Sequence, residues 1–274
     1  MENENRVVLT EKKGYIGYIV LNRPEKLNAF TREMYYQLAE AADYMEEQDD
    51  VKVVVIKGTG RCFSAGFDLG STGGNDTHLG QRRAYEKYSN RTRKKIWDMT
   101  KPTIAQVHSH CLGGAHDIAL ACDFCIVTEN ANLGVPEIQF GQGATFLCMP
   151  YMINLRKCRE YLLTGKSYDG RTAYEIGIAN KCVPEAELDN AVRELAKELA
   201  LVPASAMALQ KRGINRGVEA MGFALAREQW LDTLCLGMLW ESEEVNLFNQ
   251  KVKELGTKNA IKWRNEYYSK MEQD

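Results

Sequence analysis

Lys101-Pro102-Thr103-Ile104-Ala105-Gln106-Val107 runs through His108-Ser109-His110 into Cys111-Leu112-Gly113-Gly114-Ala115-His116-Asp117, and on through Ile118-Ala119-Leu120-Ala121 to Cys122-Asp123-Phe124-Cys125-Ile126-Val127. The first seven residues read as a strand leading to a glycine turn. Gly113 to Ala121 reads as a helix, and Asp123 to Val127 as a second strand. A strand, a crossover helix and a further strand are the repeating unit of an α/β fold. The same alternation extends towards the N-terminus. Tyr15 to Leu21 has strand character, Thr31 is placed to cap a helix, and Met34, Leu38, Ala42 and Met45 recur at helical spacing. Val51 to Ile56 is rich in β-branched residues, as expected of a strand covered on both faces.

That strand leads to an earlier glycine turn, Cys62-Phe63-Ser64-Ala65-Gly66-Phe67-Asp68-Leu69. Small residues and glycines at a turn leave backbone N–H groups free to point at a ligand. Two such turns brought together make a two-donor hole for one developing negative oxygen. Each donor so placed is worth roughly 2.7–4 kcal/mol of barrier. An acidic residue, Asp117, follows on the helix that begins at the second turn. The combination points to an enzyme that stabilises an enolate and moves a proton beside it.

Beyond the first turn comes a polar stretch, Gly70 to Gly80, then a charged helix through Trp97. From Ala144 onward the pattern is nearly all helical: 144–154, 156–164, 172–176, 185–201, 204–215, 218–239 and 242–253 are the expected helices. No low-complexity linker or internal repeat separates them. The expected division is therefore a core over residues 6–200 and a C-terminal helical oligomerisation or lid region over residues 201–274.

The bulk numbers set the class. With 274 residues, 45% hydrophobic and 26% charged, the chain has the composition of a soluble globular protein able to bury a sizeable core. A net charge of −2 provides no basic field for nucleic acid. Met1-Glu2-Asn3-Glu4-Asn5 has no apolar signal core, and no apolar run reaches membrane-spanning length. The expectation is a cytoplasmic protein with no membrane partner. Eight cysteines are dispersed; Cys148, Cys158 and Cys235 read as small buried hydrophobes, and the lone Cys122…Cys125 pair lacks the partner a zinc ribbon needs.

Both turns carry a resemblance. The first, with Leu21-Asn22-Arg23-Pro24-Glu25-Lys26-Leu27-Asn28-Ala29 before it, the second, continuing to Asp123, and Pro136-Glu137-Ile138 beyond, together resemble the crotonase (enoyl-CoA hydratase/isomerase) superfamily from about residue 6 to about residue 253. The resemblance implies a spiral of ββα units with a C-terminal helical subdomain. It implies that the N–H groups of Phe67 and Gly114 form the oxyanion hole and that Asp117 and Glu137 hold and deprotonate water, Glu137 returning a proton to the α-carbon. It places Lys26, Leu27, Ala29, Ala65, Asp68 and Leu69 around coenzyme A, with Gly113 and Pro136 lining the substrate and Lys251 reaching a phosphate across a subunit contact. It implies no metal or redox cofactor, coenzyme A arriving as part of an acyl-CoA thioester, and a homo-oligomer, either a trimer or a dimer of trimers. Hydration of a 2-enoyl-CoA is the leading activity. Isomerisation, C–C hydrolysis, C–C lysis or decarboxylation on the same fold are the alternatives, with RNA binding by a non-enzymatic relative more remote.

This chain departs from the family pattern at several points. Hydratases of the family usually carry Glu where this chain has Asp117, one methylene shorter. Dienoyl-CoA isomerases have Asp there but a further acid eight residues past the glutamate, where this chain has Thr145. Ala115 replaces a third glycine, His108-Ser109 an Asn-Gly pair, and Gly141-Gln142-Gly143-Ala144-Thr145 the usual helix start. Three further clusters have competing readings. His108, His110 and His116 beside Asp117 have spacing compatible with a transition metal, against strand and helix geometry that sends them in different directions. Arg82, Arg83, Arg91, Arg93, Lys94 and Lys95 read chiefly as a solvated helix face. Tyr85, Tyr88, Trp97, Phe140 and Phe146 are candidates for a cyclic or aromatic acyl pocket, although such spacing more often means core.

Overall fold

Antiparallel strands β1 (Val8–Lys13) and β2 (Ile16–Leu21) open a six-stranded sheet that is parallel from β2 onward. The structure, a computed structural model, describes residues 6–68, 78–237 and 242–271. After β2 come α1 (Arg32–Glu47), β3 (Val53–Gly58), α2 (His78–Ala84), α3 (Arg91–Asp98) and β4 (Thr103–Val107). Then follow β5 (His110–Leu112), α4 (Gly114–Ala121), β6 (Phe124–Thr128) and β7 (Asn132–Gly134). The remainder is α5 (Leu155–Thr164), β8 (Tyr168–Asp169), α6 (Gly170–Glu175), β9 (Lys181–Val183), α7 (Leu188–Ala200), α8 (Ala204–Ala220), α9 (Phe223–Gly237), α10 (Glu243–Leu255) and α11 (Thr257–Met271). The large sheet runs β1-β2-β3-β4-β6-β9, and β5-β7-β8 form a small second sheet.

Alternation along the parallel strands divides the core. Ile19, Leu21, Val54, Ile56, Ala105 and Val107 pack against α1, α3 and α4, while Tyr18, Val20, Val53, Val55, Ile104 and Ile126 pack against Leu188, Val192, Leu195 and Ala196 of α7. Both faces are buried, so the β-branched run of β3 has no polar side to present. Thr31 caps α1 as expected, accepting from the Met34 N–H at 3.1 Å, a contact worth about 1 kcal/mol. Among the described residues no helix is long and apolar enough to cross a membrane.

The structure corrects the expectation in three places. Residues 144–154 are not a helix; only Met149–Tyr151 forms a single 3₁₀ turn. Pro150 supplies no N–H for a helix interior, and the loop is committed elsewhere, with Ala144 O accepting from Trp230 Nε1 at 2.6 Å and Thr145 turned inward. The region is also not all helical, since β9 pairs with β6 at the sheet edge and β8 with β7. Strands of two or three residues are too short to show an alternating pattern. The charged helix through Trp97 is interrupted by a π-helical stretch, Tyr85–Asn90, between α2 and α3. The C-terminal helices are joined to the core. Lys211 of α8 reaches Asp123 Oδ2 at 2.6 Å, and Phe223 of α9 lies within the main core, against Trp97, Phe146 and Tyr151.

Candidate active site

The two glycine turns meet backbone to backbone. Ser64 N donates to His110 O at 2.9 Å, and Leu112 N returns to Ser64 O at 3.3 Å. Gly66 has φ +91°, and a β-carbon there would come within 2.5 Å of Leu112 O, so the close approach requires glycine. The other side of the first turn is held by Asn28, whose amide donates to the carbonyls of Thr59, Cys62 and Phe63 at 2.8, 3.0 and 3.1 Å. Phe67 lies in a bridge to Phe30, where Phe30 N donates to Gly66 O and Asp68 N to Phe30 O. Its own N–H is left facing away from that pairing. Among the described residues, the N–H groups of Phe67 and of Gly114, the first residue of α4, find no backbone acceptor. Gly114 also carries the positive end of the α4 dipole.

Glu137 comes to this point from the far side. Pro136 starts a 3₁₀ turn, Pro136–Phe140, just after β7. Gly113, at φ +52°, leaves the space into which the Glu137 carboxyl fits; a β-carbon there would overlap Oε1. Oε2 is buried with no hydrogen-bond partner. Burial, with a contribution from the Asp117 charge, pushes the Glu137 pKa up to about 8. At neutral pH this favours the protonated carboxyl.

Asp117 sits one turn into α4, fully buried, and is held by one oxygen. Oδ2 accepts from Thr145 Oγ1 at 2.8 Å and lies 3.1 Å from Arg93 Nη2, while Oδ1 is buried without a partner. Burial raises its pKa; the Arg93 charge is the largest effect opposing the rise. Arg93 is itself 0% exposed. Its guanidinium also donates to Thr145 Oγ1 at 2.7 Å, Asn90 Oδ1 at 3.2 Å and the Tyr35 hydroxyl at 3.3 Å, and lies over the Tyr35 and Phe146 rings. A buried arginine paired in this way keeps its partner carboxyl ionised more readily than an isolated one.

Arg93 departs from the sequence reading, which placed it on a solvated face. The other cations of that stretch are partly or fully exposed, Arg82 bridging to Asp232 and Lys94 to Asp98. The aromatic candidates divide likewise. Trp97 and Phe146 are core residues, Tyr88 packs at the core's edge, and Tyr85 is half-buried and close enough to feel the charges of Arg93 and Glu137. The side chain of Phe140 lies outside the described residues.

The histidines point apart. His108 Nε2 is 3.1 Å from Gly60 O, and His116 Nε2 is 2.5 Å from the Tyr168 hydroxyl. Burial lowers the His116 pKa to about 4, so that ring is neutral. Among the described residues no group of three His, Cys, Asp or Glu side chains converges on one point. Cys122 donates to Ile118 O, and burial pushes the Cys125 thiol up to about 12.

The coenzyme A candidates cluster beside the first turn. Lys26 is exposed at the end of a 3₁₀ turn, and Leu27 O accepts from Ala65 N at 2.9 Å. Ala29 O accepts from Arg23, which also pairs with Asp68 at 2.5 Å. Leu69 lies outside the described residues. Lys251 engages the C-terminal helices, pairing with Glu254 at 2.6 Å beneath the Trp263 ring.

Comparison with known proteins covers most of the chain. The sequence model of the enoyl-CoA hydratase/isomerase family matches residues 11–233. A putative enoyl-CoA hydratase of Mycobacterium tuberculosis, EchA13, is 34% identical over 78% of this chain and 74% of its own length. A short-chain-enoyl-CoA hydratase of Clostridium acetobutylicum is 29% identical over 93% of this chain and 98% of its own. The crystal structure of an enoyl-CoA hydratase/isomerase from Xanthobacter autotrophicus Py2 superposes with a TM-score of 0.87 at 31% identity, covering 96% of this chain and 98% of that one.

Proposed function

Because the chain belongs to the enoyl-CoA hydratase/isomerase family, we propose that it adds water across the double bond of a 2-enoyl-CoA. The N–H groups of Phe67 and Gly114 receive the thioester oxygen as charge builds on it. The water oxygen bonds to the β-carbon while Asp117 takes its proton, and the double-bond electrons move into the enolate. Glu137 then gives its proton to the α-carbon. The product is a 3-hydroxyacyl-CoA, and the proton gained by Asp117 balances the one lost by Glu137.

The observation that carries this reading is the pairing of two buried acids with different surroundings, one beside a cation and one without. Arg93 and Thr145 favour the carboxylate of Asp117, and burial favours the protonated form of Glu137. Each leaves one oxygen without a partner. A water addition needs one base and one acid, each proton transfer being worth about 10²–10⁴-fold.

The cycle balances without a metal or redox cofactor, coenzyme A entering as part of the substrate. Lys26, Leu27, Ala29, Ala65, Asp68 and Leu69 take the coenzyme A arm on this reading, Gly113 and Pro136 border the acyl group, and Lys251 meets a phosphate. A trimer or dimer of trimers in the cytoplasm completes it. Exposed Leu209, Ile214 and Met221 of the C-terminal half, with Leu225 and Leu236, support self-association.

The test is mass spectrometry of products from straight-chain, branched, cyclic and aromatic enoyl-CoAs in isotopically labelled water. A product heavier by one labelled water is expected. Deuterium uptake with no added oxygen would instead establish isomerisation with Glu137 as base. Glu137→Gln is expected to lower kcat by about 10³-fold while acyl-CoA binding stays within a few-fold.

A further inference from the structure

We infer that Arg93 is a positioning residue that decides which of the two acids carries the charge, by holding Asp117 as a carboxylate with one oxygen tied and the other presented to water. This rests on the hydration reading above and assigns the origin of its acid–base split.

The geometry is one-sided. Arg93 and Thr145 both reach Oδ2 of Asp117, at 3.1 and 2.8 Å, and neither occupies Oδ1. Thr145 links the two, accepting from Arg93 Nη2 at 2.7 Å and donating to Asp117. Arg93 is held in turn by Asn90 from the π-helical stretch, by the Tyr35 hydroxyl and between two aromatic rings. A π-helical insertion shifts the side chains that follow it around the helix axis, and such insertions recur at functional sites. Here the shift accompanies a full guanidinium turned into the core from a helix whose other cations are exposed or only partly buried. A shorter acid at position 117 also fits: its carboxyl stays near the helix, where Arg93 and Thr145 can hold it.

Titratable groups around the pair come from each neighbouring element. Tyr35 stands on α1, Tyr85 on the π-helical stretch, Cys111 on β5, Cys148 on the loop after the 3₁₀ turn, and Glu137 on that turn. Burial raises the pKa of every one of these, and the cation whose charge acts on Asp117 is Arg93.

The experiment is infrared difference spectroscopy of the free enzyme across a pH series, with Asp117→Asn and Glu137→Gln assigning the protonated-carboxyl bands. In the wild type the Glu137 band is expected and an Asp117 band is not. Arg93→Met is expected to add a band at neutral pH that Asp117→Asn removes, and to lower kcat about 10²-fold or more with KM little changed. Arg93→Lys, which restores a cation, is expected to lose that band again. An Arg93→Met enzyme in which Asp117 still shows no band overturns the inference. Should that variant not fold, Arg93→Gln carries the same question without the cation: an Asp117 band appearing at higher pH on acidification supports the inference, and an unchanged titration overturns it. The band shift is read without substrate, so silence in the enoyl-CoA assay would defeat the hydration reading alone.

Discussion

The first turn of α4 and the 3₁₀ turn Pro136–Phe140 each present one acid to the same space, and they are built differently. Asp117 sits in a helix whose eight residues are all buried, with Arg93 and Thr145 on its carboxyl. Glu137 sits in a five-residue turn, partly accessible, with no charge partner among the described residues, its carboxyl held by its own backbone N–H and in the space that Gly113 leaves. The difference separates two ways of setting a protonation state. A charge partner favours the ionised form and also fixes its direction. Burial without a partner favours the neutral form and leaves direction to packing.

Among changes that keep both acids, a large effect is expected where packing does most of the aiming. Gly113→Ala places a β-carbon in the Glu137 carboxyl and an alanine at φ +52°. The left-handed conformation costs about 1–2 kcal/mol, and a displaced acid about 10²-fold in rate. The expected outcome is kcat lowered by 10²-fold or more, with a thermal midpoint down by about 2–8 °C. Near-normal turnover would mean that Glu137 does not act from the position over Gly113.

A smaller, graded effect follows from pH. With Glu137 as the proposed acid, kcat/KM is expected to fall about tenfold per pH unit above its pKa of about 8. A rate that rises through that pH instead would make it a base and favour isomerisation. Stability carries the same sign. Folding raises this pKa from 4.5 to about 8, so the native state binds more protons than the unfolded chain over that interval. The contribution is fully present below pH 4.5 and is lost as pH rises through about 8. Urea denaturation at about pH 6 and about pH 9 is expected to show a larger loss for the wild type than for Glu137→Gln.

These differences also separate what could be read in the chain from what could not. The turns, the α/β alternation, the Thr31 cap and the family resemblance rest on local patterns, and the structure has them. Arg93 did not declare itself, because Arg91, Lys94 and Lys95 around it make an ordinary charged face, and its burial depends on Thr145 and Asp117 far along the chain. The π-helical stretch has no residue signature that would have flagged it. The loop at 144–154 resembles a helix by composition; its apolar residues are instead spent on the core and on α9, with Phe146 against Phe223 and Ala144 O receiving Trp230. Asn28 was legible as part of a motif. Its role as the amide that gathers three carbonyls of the first turn became apparent only in three dimensions.

The smallest expected effect lies furthest from the chemistry and tests whether packing at the Glu137 turn extends beyond its immediate neighbours. Arg264, on α11 and past the segment matched by the family, donates to Gln139 O at 2.9 Å and to Gln139 Oε1 at 2.7 Å. Val245 of α10 closes on Gly141 at the end of the same turn. Two C-terminal helices thus press on the 3₁₀ segment whose second residue is Glu137. Removing one charged hydrogen-bonding group at a partly exposed position costs about 1.5–3 kcal/mol at most, spread over a turn that keeps its other contacts. Arg264→Ala is therefore expected to lower kcat only several-fold, about 3–10-fold for an acid displaced by less than 1 Å. The pH at which activity falls is expected to stay near 8, because the charges that act on Glu137 are those of Asp117 and Arg93. If both kcat and that pH are unchanged, the Glu137 turn is fixed by Gly113 and Pro136 alone. If the pH of the fall drops towards the ordinary carboxyl range, α11 is what keeps water from this acid, and the C-terminal helices belong to the site itself.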